Sequence, residues 1–68
     1  MIQSSELKVG AKVAYKGKEY TIKETNARVR IFGYWLDCII YAPNYENDYN
    51  LFVRDSNDFM EHFEIVKE

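Results

Sequence analysis

The chain has 68 residues, a net charge of −2 at pH 7, 16% aromatic residues and one cysteine. A domain this short buries only about 60% of the surface that its unfolded form exposes. The single Cys38 excludes an intrachain disulfide, and no apolar run approaches the roughly 20 residues of a membrane helix. Met1–Glu6 lacks the basic segment and apolar core of a signal peptide. Residues 1–6 are expected to be a flexible lead-in to one domain over residues 1–68. A lone free thiol fits a cytoplasmic address. Charge is uneven: residues 1–34 hold seven Lys/Arg against three Glu, whereas residues 35–68 hold two against eight Asp/Glu. Oppositely signed strands that pair across a sheet would neutralise this, although such asymmetry can also steer partners.

In chain order, Leu7–Tyr15 reads as a lead-in turn at Gly10 and a first strand, with Val13 and Tyr15 on one face. Lys16-Gly17-Lys18 is a tight turn. Glu19–Glu24 then alternates, with Tyr20 and Ile22 inward, so the two segments form a hairpin. Thr25-Asn26-Ala27 is expected to be the next turn, and Arg28–Phe32 a strand with Val29 and Ile31 on the core side. Gly33-Tyr34 turns the chain into Trp35–Tyr41, its most apolar run and its best central strand. There Leu36, Cys38 and Ile40 are expected to face the core, opposite Trp35, Asp37, Ile39 and Tyr41. Ala42–Asn50 is a loop by composition, and Leu51–Arg54 is a short strand. Asp55–Asp58 offers helix N-caps, and one or two helical turns are expected from about Asn57 to His62. Phe59 and Phe63, four apart, share a face. Ile65-Val66 closes as an edge strand.

The resulting class is mainly β: a small half-open barrel of five or six antiparallel strands with one short helical turn near the C-terminus. Val9-Gly10 before a strand, the Tyr15–Tyr20 hairpin, Cys38-Ile39-Ile40-Tyr41, and Phe52-Val53-Arg54 before a Phe-containing turn together resemble SH3-like small barrels. They are similar above all to short uncharacterised domains of bacteria and phages. The resemblance covers roughly residues 7–66. It implies a fold and a regulator of a larger bacterial or phage complex, and it carries over no catalytic residue. The acidic loop and aromatic groove of proline-peptide-binding SH3 domains do not map onto this chain.

Chemical motifs are sparse. Glu46, Asp48 and Asn50 alternate as at the start of a calcium loop, but Leu51 stands where glycine is needed and Asn57 where a bidentate Glu is needed. One histidine, His62, and one cysteine cannot supply a structural zinc set. The three glycines are isolated, so no phosphate cradle is formed, and no nucleophile–base pair stands out. The expectation is therefore a protein that is not an enzyme, with no metal and no cofactor. Cys38, mid-strand among apolar neighbours, reads as a buried small hydrophobe.

Eleven aromatics exceed what one small core holds. With Leu36, Cys38 and Ile40 inward, Phe32, Trp35 and Tyr41 face out, and Tyr34 stands at the turn. Arg28 and Arg30 flank them, and Tyr45 and Tyr49 lie in the loop beyond. Trp, Tyr and Arg are the residues that protein interfaces favour. These eight residues are the expected site for a protein partner, or for a second copy in a homodimer. The alternative is a small barrel that binds single-stranded nucleic acid by stacking bases on Trp35 and Tyr34 beside a Lys12–Arg30 basic stripe. Net negative charge opposes it.

Overall fold

The computed structural model describes residues 1–44 and 50–67. After a 3-10 turn at Ser4–Glu6 come β1 (Lys12–Tyr15), β2 (Lys18–Ile31), β3 (Tyr34–Pro43), β4 (Phe52–Asp55), α1 (Ser56–His62) and β5 (Glu64–Ile65). The five strands are antiparallel in the order β4-β3-β2-β1-β5, and the sheet is not closed.

Two-residue turns make both long hairpins. Lys16-Gly17 joins Tyr15 to Lys18, and Phe32-Gly33 joins Ile31 to Tyr34. Both residues of each turn have positive φ, at 51° and 78° in the first and 51° and 83° in the second. This is the turn whose twist matches that of paired strands, and glycine adopts its second position without steric cost.

Thr25-Asn26-Ala27 is not a turn. β2 runs through it, and the register with β3 slips by one residue between Ile22 and Glu24 and again between Glu24 and Ala27. Two extra residues therefore enter β2 while β3 stays regular. The Glu24 carboxylate makes this possible, because Oε1 accepts the N–H groups of Thr25 at 2.9 Å and Asn26 at 3.1 Å. Those amides have left the ladder, and the side chain satisfies them. Glu24→Ala is expected to cost about 1 kcal/mol, which lowers the melting temperature by roughly 4–8 °C in a domain of this size. Amide hydrogen exchange should accelerate at Thr25 and Asn26 before the rest of β2.

The expected strand at Arg28–Phe32 is thus the far end of β2, and the expected inward faces are reversed. Two bulges restore parity, so Arg28 and Arg30 continue the face of Tyr20 and Ile22. They stand opposite Asp37 and Trp35, as Ile22 stands opposite Tyr41. On β3 the core residues are Ile39 and Tyr41, not Leu36 and Ile40. Val29, Ile31 and Leu36 lie on the other sheet face, outside the core. Cys38 is buried as expected, although it too lies outside the main cluster.

The core forms where α1 crosses the sheet. Phe59 and Phe63 stack at 4.2 Å between ring centroids, and Tyr41 lies 5.2 Å from each. Tyr15 stacks on Phe63 at 4.7 Å. Val13, Tyr20, Ile22 and Ile39 fill the sheet side. Ile2 is buried with them, and its N–H donates to the Met60 carbonyl at 2.8 Å. Asp55 is the N-cap of α1, with Oδ1 accepting the Asp58 N–H at 3.0 Å. β5 then returns to β1, pairing Ile65 with Val13.

Candidate functional site

β1 pairs with β2 only over Lys18–Thr21, and β4 pairs with β3 only over Cys38–Tyr41. Beyond those limits β2 and β3 continue as a two-stranded arm from Ala27 to Asp37. Neither β1 nor β4 flanks the arm.

On the core-side face of the arm, Trp35 is 60% exposed, and the Arg30 guanidinium stands 5.7 Å from its ring centroid. Arg28 Nε meets Asp37 Oδ1 at 3.3 Å, in a pair open to solvent. Beneath this face lies a cleft of about 760 Å³, bounded by Arg28, Trp35 and Asp37 on the arm. Thr25 and Asn26 of the bulge form one end, and Ser56, Asn57 and Met60 of α1 form the opposite wall. A site of this size can hold several side chains of a partner.

At the tip, Phe32 is 95% exposed. Its φ of 51° is a conformation that a bulky residue adopts at a cost and that Asn adopts more easily. Tyr34, 73% exposed, lies on the other sheet face, with Val29, Ile31 and Leu36, the last of which also borders the cleft.

The structure therefore brings Arg28, Arg30 and Trp35 together, places Phe32 beside them at the tip, and puts Tyr34 on the reverse face. Tyr41 does not belong with them. It is 5% exposed in the core, because the regular alternation of β3 puts it on the face that α1 covers. The Arg54 Nε donates to its hydroxyl at 3.2 Å. Tyr45 and Tyr49 lie outside the described residues. Asp37 and the α1 wall were missing from the expected site. Asp37 is visible in the sequence only as a charge inside an apolar strand.

Arg54 is the most constrained cation among the described residues. Besides Tyr41, it donates to Asp58 Oδ2 at 2.9 Å and lies over the Tyr15 and Phe63 rings at 5.0 and 5.2 Å. The Tyr41 hydrogen bond, and then Asp58, push its pKa above the ordinary arginine value against the opposing effect of burial. Its role is to lock α1 to the sheet.

Among the described residues no group of His, Cys, Asp and Glu stands together to hold a metal ion. No helix there is long and apolar enough to cross a membrane. Comparison of the chain with family models, curated proteins and solved structures returned no match.

Proposed function

We propose that the protein is a non-catalytic interaction or adaptor module that regulates a larger assembly, and that it engages a protein partner through the arm and its cleft. The observation that carries this reading is the placement of Phe32, Tyr34 and Trp35. A short chain with little apolar surface to spare keeps three aromatics outside its core, and holds one of them at a strained turn position. Exposed aromatics beside arginine form the anchors of protein interfaces.

An SH3-like small barrel is the fold variant proposed for this sheet. Its support is the element order, with a short helix before a last strand that returns to the first.

The single-stranded nucleic acid reading keeps Arg30 on Trp35 in its favour. It is weakened because Asp37 counters Arg28, and because Asp55 also lines the cleft.

The test is capture of partners from the source cell lysate, split into nuclease-treated and untreated halves, with wild type and Trp35→Ala. Trp35→Ala should fold normally and retain at least about tenfold less of a protein that survives nuclease, as loss of an interface anchor requires. Capture that vanishes with nuclease, or that ignores Trp35→Ala, overturns the reading. A companion variant, Phe32→Asn, relieves the turn strain and should raise stability by about 1 kcal/mol. It should also weaken capture. Unchanged capture would remove the tip from the site.

A further inference from the structure

We propose that a second copy of this chain covers the sheet face away from α1, in a two-fold homodimer where the arm tip of each copy lies over the β3–β4 base of the other. This goes beyond the protein-interaction reading, because Trp35 and its two arginines face the other way.

An antiparallel sheet with its core on one face ordinarily carries polar residues on the other. This sheet departs from that pattern. On the face away from α1, Ile31 pairs with Tyr34 at the tip, Val29 with Leu36 in the middle, and Ile40 with Val53 at the base. At the rise of a strand, this apolar stripe runs roughly 20 Å from Tyr34 to Ile40. Two carboxylates adjoin it in the ladder, Glu24 opposite Ile40 and Asp55 opposite Cys38. Each is turned onto backbone N–H groups of its own chain, Glu24 onto Thr25 and Asn26, and Asp55 onto Asp58. The stripe therefore keeps its apolar character.

Much of it is open to solvent. Besides Tyr34, Val53 is 58% exposed, Ile31 43% and Leu36 38%, while Val29 and Ile40 are half-buried. Each copy leaves on the order of 500 Å² of this face open, near the top of the range for the largest apolar patch on a monomer. Two copies bury on the order of 1,000 Å², the least that a specific interface needs. Phe32 at the tip adds to that area. An interface at this limit suits a dimer that forms and dissociates with concentration.

The stripe offers no charged group with which to select a foreign partner. Apolar interfaces of this kind are those of homodimers, which resemble a domain core cut in two. Its ends also complement each other. The tip presents the large Tyr34 and the base the small Val53, so reversing one copy sets large on small at both ends, and each contact occurs twice. Tip over tip would instead set Tyr34 on Tyr34 and Val53 on Val53. Twisted sheets pack face to face about 10 Å apart, with their strands roughly 30° from aligned.

Sedimentation velocity of the intact protein, from about 1 µM to about 1 mM, tests the proposal. Wild type should pass from one chain mass to two across that range. Ile31→Lys and Val53→Lys alter exposed side chains, so each should keep the fold, read by circular dichroism, and weaken dimerisation at least about tenfold. Val53→Glu should do the same alone. Mixed with Ile31→Lys it should recover the dimer, because the introduced ammonium at one tip then meets the introduced carboxylate at the other copy's base, and the second contact keeps its native residues. Trp35→Ala should dimerise as wild type does. A wild type that stays monomeric throughout, or a dimer untouched by both lysine substitutions, overturns the proposal and leaves the proposed function standing. Loss without recovery on mixing overturns the tip-over-base arrangement. A dimer lost in Trp35→Ala alone moves the interface to the cleft and overturns it, and so does a monomer whose captured protein is lost in Val53→Lys, which gives the face to a foreign partner.

Discussion

Phe59→Ala should leave the domain largely unfolded at ordinary temperatures. Phe59 is fully buried, stacks on Phe63 and packs on Tyr41, so its ring joins α1 to the sheet. Truncating a buried Phe costs about 3–5 kcal/mol, part in lost transfer energy and part in the cavity left behind. A domain of this length has a total stability of about 3–10 kcal/mol at the usual value per residue. The expected fall in melting temperature is roughly 15–30 °C. It can be read by far-ultraviolet circular dichroism, with urea midpoints as a second measure. A loss below about 1 kcal/mol would mean that the helix does not close the core here.

Arg54→Ala is expected to be the next most damaging change, at about 2–3 kcal/mol. The guanidinium bonds Tyr41 and Asp58, and its plane covers Tyr15 and Phe63. Its side chain is partly open to solvent, which screens the Asp58 pair and limits its share. Arg54→Met keeps the apolar stem and loses the donors, so it should cost about half as much. A double-mutant cycle with Tyr41→Phe isolates the hydroxyl bond, and the pair should couple by about 1 kcal/mol. Strict additivity would show that this bond adds nothing. Neither Phe59→Ala nor Arg54→Ala touches the arm. Both residues hold α1, which forms one wall of the cleft, so partner capture should weaken as the helix loosens.

The parts of the fold that depend on local chemistry were legible in the sequence. Lys16-Gly17 and the glycine at 33 marked both tight turns, and alternation marked Tyr20 and Ile22 as inward. The Asp and Ser before Phe59 marked the start of α1, one residue ahead of its expected position. What failed was parity. A polar Glu24-Thr25-Asn26 reads as a turn, and a turn resets which residues face the core. A bulge capped by its own Glu24 looks the same in sequence, yet it lets β2 continue with Arg28 and Arg30 on the core-side face. The error then carried across the hairpin to β3 and exchanged Tyr41 for Leu36. The site suffered less, because Trp35, Phe32 and the two arginines were chosen for residue type as well as for face. The cleft wall from α1 was beyond reach, since it arises only from where β4 leaves the sheet.

Trp35 stands outside the core and lines the cleft that, on the proposed function, a protein partner fills. It is the single tryptophan in the chain, so the fluorescence of the free protein reports on that cleft, and that of the complex does so once the partner's own emission is subtracted. The decisive measurement is its emission and its quenching by acrylamide, in the free protein and with the captured partner added. Water-exposed emission and ready quenching are expected in the free chain, with a blue shift and protection on binding. Buried, unquenched emission in the free chain, or quenching unchanged by the bound partner, would contradict that expectation.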